Sequence, residues 1–410
     1  MTRIIVEGKF ADVDGIRDGQ LAIENGLIVE IAPRIGPPSH VFGEECLIFA
    51  GMGDIHIHAR EDITCKETHK ETFATASAAA LHGGIVHVAD MPNNPAAPID
   101  DASYQVKEDL FLSKQLPVTF TFYAGIGPGT KPLKRHVPYK AYMGPSVGDL
   151  FFSTLDDLDR TLANYRGKAV SFHCEDPVLL AQNRSAGTHE ARRPPECELS
   201  ATRFALSMIE KYNLTGKLCH YSVGEGLGLI REAKSKGLPV TAEVTPHHVF
   251  FDTAMITDEN RPWMQMNPPL RSPSDREAML DALRDGTADY LATDHAPHTI
   301  PEKEVGVSGQ PHLDTYAPFA TWLLVEKGFS PERLAAICSA NPGAFVNPFR
   351  REKFGRLLPG HVGSLTVLNL KVPTLVRKQD LKTKCGWSPF EGVTFPGSLE
   401  ALFIRGTRVS

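Results

Sequence analysis

The stretch Asp54-Ile55-His56-Ile57-His58-Ala59-Arg60 carries the densest concentration of chemistry in the sequence. Side chains on a strand alternate faces with a period of two. His56 and His58 therefore point the same way and can close on one metal ion from a single segment. Neutral imidazole nitrogen is a good ligand for zinc and similar ions. Arg60 stands just past the pair, where its guanidinium can grip a carboxylate or a phosphate. A lone His-x-His suits an ordinary strand equally well, so the rest of the chain must decide.

It supplies ligand types at the ends of later strands. From Gly53 the sequence repeats strand, loop and helix. The strand-like runs are 53–58, Ile85–Met91, Val118–Ala124, Tyr139–Met143, Ala169–His173, Lys217–Tyr221, Pro239–Val244 and Asp289–Thr293. Helical patterns over Glu67–Ala80, Leu155–Tyr165, Ser200–Lys211, Gly226–Lys236 and Ser274–Arg284 separate most of them. That alternation predicts an α/β fold, a (β/α)8 TIM barrel over residues 51–355. A doubly wound sheet would want a Gly-rich first turn; Gly224-Glu225-Gly226-Leu227-Gly228 comes after the sixth strand and reads as a loop.

Barrel enzymes place their chemistry at the C-terminal ends of the strands. There the sequence puts His56 and His58 (strand 1), Lys140 (strand 4), His173 (strand 5), His220 (strand 6) and Asp294 (strand 8). Four imidazoles and a carboxylate suit two divalent ions. A protonated lysine would repel them, but an ε-amine that has lost its proton can take up CO₂ and become a bridging carbamate. By its chemistry alone Lys140 is either that bridge or a salt-bridged core lysine.

Before and after the barrel the texture differs. Arg3–Glu7, Gly19–Ile23 and Leu27–Ile31 are strand-like, with the hairpin signal Asn25-Gly26 between the last two. Ser364–Asn369 and Ala401–Gly406 are strand-like again, so residues 1–50 and 356–410 are expected to build one small β domain. A net charge of -6 and the absence of any dense basic run speak against a nucleic-acid surface. No apolar run approaches the ~20 residues of a membrane span, and the start lacks the apolar core of a signal peptide. The seven cysteines form no Cys-x-x-Cys, which fits reduced thiols in a cytoplasmic enzyme.

Several stretches together are far more specific than any one: the first strand, Met91-Pro92-Asn93-Asn94, Tyr139-Lys140-Ala141-Tyr142, His173-Cys174-Glu175-Asp176, Glu243–His248, Asn267-Pro268-Pro269-Leu270-Arg271, Thr293–His298 and Ser388-Pro389-Phe390-Glu391-Gly392. On these the sequence resembles the dihydroorotases of the amidohydrolase superfamily over most of its length. The resemblance implies a binuclear zinc site. His56 and His58 would bind one ion, His173 and His220 the other, carboxylated Lys140 would bridge, and Asp294 would bind the first ion and shuttle the proton. Arg60, Asn93 and His298 match residues that hold the substrate carboxylate, with Asn267 a further ring contact.

The implied reaction is the reversible cyclisation of N-carbamoyl-aspartate to dihydroorotate. The alternatives are a sister cyclic amidase for hydantoins, dihydropyrimidines or allantoin, and a non-catalytic scaffold. A small-molecule substrate is the expected partner; a homodimer or an association with a transcarbamylase stays open. Departures from the family pattern are Ala59, Asn94, His312 (usually glycine) and Asp314 (usually glutamate), the last two in a loop expected to meet the substrate ring. Pro145–Phe152 reads as a candidate cover over the site. His69, His82, His136 and His189 read as surface or packing residues, His87 as too far down its strand, and His247 and His248 as supports. Cys174 and Cys219 are expected to turn into the core, away from the metals.

Overall fold

A computed structural model of the chain describes residues 3–145 and 150–409. Eight parallel strands close into a barrel. The first is Met52–Ile57, the second Ile85–Asp90, and the third Thr119–Phe122, which continues after Tyr123 as Ala124–Ile126. Tyr139–Tyr142, Ala169–His173, Thr215–Leu218, Val240–Val244 and Tyr290–Leu291 are the fourth to eighth. Neighbouring strands pair in that order. The ring is completed where His58 N donates to His295 O at 2.8 Å and Ile57 bridges His295. All eight strands are the predicted ones, with ends displaced by a few residues. The expected TIM barrel is the observed architecture.

Helices cover the barrel because their apolar faces need the outer faces of the strands. Pro195–Tyr212 is typical: Pro at its first turn pre-sets φ, and Asn213 ends it in a left-handed cap. The helix predicted over Glu67–Ala80 begins only at Phe73 and runs to His82. Thr72 caps it reciprocally with Thr75, which fixes the start; residues 67–70 form turns instead. Several helices were not foreseen, among them Asp101–Leu112 and Tyr316–Val325. The latter, Tyr-Ala-Pro-Phe-Ala-Thr-Trp-Leu-Leu-Val, is buried nearly all round and so shows no amphipathic period.

Strands from both chain ends form a second, eight-stranded sheet. Its order runs Thr407–Arg408, Ser398–Ile404, Leu365–Asn369, Cys46–Ala50, Arg3–Asp12, Gly15–Glu24 and Leu27–Ala32, with His40–Val41 beside Arg3–Asp12. Its core of Val6, Phe10, Leu21, Ile48, Val367 and Phe403 is separate from that of the barrel. Asn25 and Gly26, both at positive φ, make the hairpin the sequence predicts. Between the last two long strands, residues 382–387 leave the sheet for the rim of the barrel. Buried Glu71 and Asp314 hold them there by the amides of Lys382, Thr383 and Lys384. Among the described residues no helix is long and apolar enough to cross a membrane.

Candidate active site

The C-terminal mouth of the barrel holds a small cleft lined by His56, His58, Arg60, Asn93, Tyr142, His173, His220, Asn267, Asp294, Ala296, Ser308 and Gly309. Eight of the ten residues singled out in the sequence line it. Lys140 lies beneath, fully buried, and His298 touches Arg60. Size does not pick out this site, since an open groove of about 1000 Å³ runs along the terminal sheet past Lys9, Gln20, Arg34 and Phe42. Converging chemistry does.

Local backbone aims these groups. Arg60, His220 and Asp294 have φ of 60, 36 and 48°, left-handed values that non-glycine residues rarely adopt and that cluster at functional sites. The kink at His220 corrects one expectation. Strand alternation was to carry Cys219 away from the site. The sixth strand stops at Leu218, however, and Cys219 Sγ, Glu243 and a His56 nitrogen all lie within 4.8 Å of one another.

Three of the four imidazoles on the floor are held from behind. His56 Nδ1 meets the Glu243 carboxylate, which also takes the Lys217 ammonium and the His220 amide at 3.1 Å. His58 Nδ1 lies 2.7 Å from Asn93 Oδ1, and His173 Nε2 2.7 Å from Glu175 Oε2. Arg193 binds Glu175 in turn. Lys107 fixes the Asn93 loop by Asp90 and Asn94, both at 2.6 Å. With Nδ1–H donated backwards, His56 and His58 present Nε2 lone pairs inwards. Both nitrogens lie 3.1 Å from Asp294 Oδ1. His173 Nδ1 and His220 Nε2 face each other at 2.8 Å.

Electron-rich atoms converging this closely require a proton or a cation between them. Burial, reinforced by Lys140 and Lys217 for His56 and by Arg60 for His58, pushes these imidazoles well below their ordinary range. They are neutral at pH 7, the state in which they ligate. Burial pushes Asp294 up to about 7, against the pull of Lys140, so it can exchange a proton near neutrality. Glu175 goes the other way, to about 2: burial raises it, but Arg193 and His173 outweigh that. His56, His58 and Asp294 thus fit a divalent ion. Lys140 Nζ makes no sound hydrogen bond among the described residues; the Cys219 thiol is the polar group beside it. The salt-bridged core lysine of the sequence reading is not what is found.

Arg60 is the exceptional rim residue. Its Nη2 lies 3.2 Å from His298 Nε2, while Nε and Nη1 are buried without a partner among the described residues. Asp54 is committed to Thr293 and the His56 amide, and Glu61 to Lys114 and the Phe73 amide, so neither pairs with Arg60. Asn267 Oδ1 and the Tyr142 hydroxyl are likewise buried and unpartnered among the described residues.

The loop departures fall elsewhere. His312 packs on His247, 3.0 Å between ring nitrogens, and Asp314 accepts the amides of Lys382 and Thr383. Gly309, not His312, lines the cleft. His248 supports from behind, its Nε2 3.1 Å from Pro268 O. His189 is buried and bonded to Met266 O at 2.8 Å. Of the candidate cover, residues 146–149 lie outside the described residues. Glu175 and Glu243 stood in the quoted stretches without a role, and Lys217, Lys107 and Tyr142 carried no signal beyond their place on strands and helices.

Comparison with known proteins agrees with this geometry. The family model described as "Amidohydrolase family" matches residues 47–409. The chain belongs to the amidohydrolase family. As an amidohydrolase it is a hydrolase. It is 30% identical over 409 residues to the dihydroorotase of Pyrococcus furiosus, spanning 98% of this chain and 91% of the relative. It is 32% identical over 415 residues to that of Thermococcus kodakarensis, spanning 99% and 94%. Among solved structures, the L-hydantoinase (dihydropyrimidinase) from Arthrobacter aurescens superimposes with a TM-score of 0.89 at 24% identity, over 100% of this chain and 96% of that one. That likeness bears on the fold of this amidohydrolase alone.

Proposed function

We propose that the chain is a dihydroorotase, interconverting N-carbamoyl-L-aspartate and (S)-dihydroorotate. The observation that carries this reading is Arg60, a buried guanidinium at the mouth of the cleft with two nitrogens that no described residue partners. Leaving such a charge uncompensated is costly. A planar carboxylate fits it with two parallel charge-assisted bonds. Dihydroorotate carries a ring carboxylate that dihydrouracil, hydantoin and allantoin lack. His298 braces Arg60 from one side, and Asn267 Oδ1 offers an acceptor to a ring N–H.

His56, His58 and Asp294 would hold one divalent ion, His173 and His220 a second, and Lys140 as a carbamate would bridge them; zinc suits this donor set. The carbamate forms when the unprotonated Lys140 amine attacks CO₂ and one proton leaves. Bound divalent ions supply Lewis-acid polarisation of the amide carbonyl and activate water near neutral pH. In hydrolysis, water oxygen bonds to the ring carbonyl carbon and the C–N bond breaks. Asp294 takes the proton from the attacking water and delivers it to the departing ring nitrogen. In cyclisation it runs the same path backwards. Arg60 and Asn267 hold the ring while Glu243, Glu175 and Asn93 keep the imidazoles in register.

Turnover of dihydroorotate, dihydrouracil, hydantoin and allantoin by metal-loaded enzyme tests the proposal. Dihydroorotate is expected to be preferred by roughly 10²–10³ or more in kcat/KM, as about 3–5 kcal/mol for an unpaired buried charge implies. Equal turnover of dihydrouracil would move the reading to a dihydropyrimidinase-like enzyme.

A further inference from the structure

We propose that Lys303 is a positioning residue for the substrate: its ammonium clasps together the segments that form the rim of the cleft beside His298. The inference rests on the reading of the cleft as a cyclic-amide site.

Lys303 lies in the short helix Ile300–Glu304, five residues after His298, and is fully buried. Among the described residues no carboxylate forms an ion pair with it. Its Nζ instead donates to three backbone carbonyls, Gln265 at 3.1 Å, Val307 at 2.7 Å and Gly309 at 3.0 Å. Burial pulls the amine down to about 7; in its ammonium form the three N–H donors match the three carbonyls. The Trp387 ring lies 5.6 Å from Nζ, a further site of attraction for the charge.

Each partner is tied to the rim. Gln265 is two residues before Asn267, and Gly309 follows Ser308; Asn267, Ser308 and Gly309 all line the cleft. Gly309 N returns a bond to Gln265 O at 2.9 Å, knitting the two loops. Trp387 Nε1 donates to His298 O at 2.7 Å, which brings the residue bracing Arg60 into the same assembly. Contacts here are close. Gly309 has φ of +135°, and a Cβ on it would stand 2.6 Å from Ala296 O and 2.9 Å from His298 Cδ2. A loop packed against His298 in this way cannot shift without moving it.

Two other buried lysines near the site show what is distinct. Lys217 and Lys107 pair with carboxylates, Glu243 and Asp90, that support metal-side residues. Lys303 uses carbonyls alone, and those belong to the substrate side. Its loss should therefore weaken substrate binding and leave the metals in place. An aliphatic side chain would fill the same volume without burying a charge, so packing alone does not call for lysine here.

The test compares Lys303→Gln and Lys303→Met with wild type, all metal-loaded, in steady-state turnover of dihydroorotate with metal counted per chain. Misplacing positioning groups by about 1 Å costs on the order of 10²-fold. KM is expected to rise roughly tenfold in Lys303→Gln, which keeps two donors, and toward 10²-fold in Lys303→Met, while kcat stays within about threefold and metal content is unchanged. If Lys303→Met does not fold, Lys303→Gln decides by itself. Wild-type KM in Lys303→Gln, or loss of metal in step with activity, would overturn the inference. A wild type that ignores dihydroorotate but hydrolyses hydantoin refutes the substrate reading instead, and the same KM comparison on hydantoin then judges Lys303.

Discussion

On the floor of the cleft His56, His58 and His173 are each held from behind by Glu243, Asn93 and Glu175. On the rim, Arg60, Asn267 and Tyr142 keep buried polar atoms with no partner among the described residues. A buried polar group left unsatisfied costs about 1–3 kcal/mol, and a charged one more. The floor spends its hydrogen bonds on orienting ligands, so its exceptions are informative: among the described residues Lys140 Nζ, His220 Nδ1 and Glu175 Oε1 are left over beside the converging imidazoles. The rim carries donors and an acceptor that no described residue satisfies and that a bound substrate could. Substitutions on the floor should therefore cost metal and stability together. Those on the rim should cost substrate affinity or rate and leave stability unharmed.

The largest effect is expected from Lys140→Ala. On the proposed carbamate bridge, turnover should fall beyond the ~10²–10⁴-fold of a lost acid–base group, because two ions would lose a shared ligand. A small carboxylic acid added to the assay should restore part of it. Intact mass of fully active wild type showing an unmodified lysine, confirmed in a crystal, would break the carbamate reading. Glu243→Gln comes next and separates floor from rim most sharply. It strips the counterion from fully buried Lys217 and the anchor from His56. About 3–5 kcal/mol of stability should be lost in denaturant unfolding, with metal content falling alongside. The smallest effect belongs to Tyr142→Phe, which removes a hydroxyl that no described protein atom uses. A fall in kcat/KM of roughly two- to tenfold, with an unchanged unfolding curve, is expected for one lost hydrogen bond to substrate.

What the sequence revealed follows from where its signals are local. Two histidines two apart, and ligand types recurring where strand-like runs end, are visible along a line, so the barrel and its metal-type residues were legible. Glu243 was not. Its role depends on ring closure, which brings the seventh strand to within one strand of the first although 187 residues separate Glu243 from His56, and no local period encodes that. Cys219 was misplaced because alternation was extended through a residue, His220, whose backbone turns left-handed and breaks it. His312 and Asp314 were assigned to the substrate loop, yet they face His247 and the 382–383 amides instead. The helix Tyr316–Val325 escaped because burial on all sides erases its 3.6-residue period.

The central claim is that Arg60 makes this cleft a carboxylate-recognising one. The most direct test is kcat/KM for dihydroorotate and for dihydrouracil, measured in wild type and Arg60→Gln at equal metal content. Wild type should favour dihydroorotate by roughly 10²–10³, and Arg60→Gln should lose most of that preference while its dihydrouracil turnover changes far less. The variant should unfold no more easily than wild type, since among the described residues Arg60 forms no ion pair to break. An equal loss on both substrates, or a wild type indifferent to the carboxylate, would contradict the account.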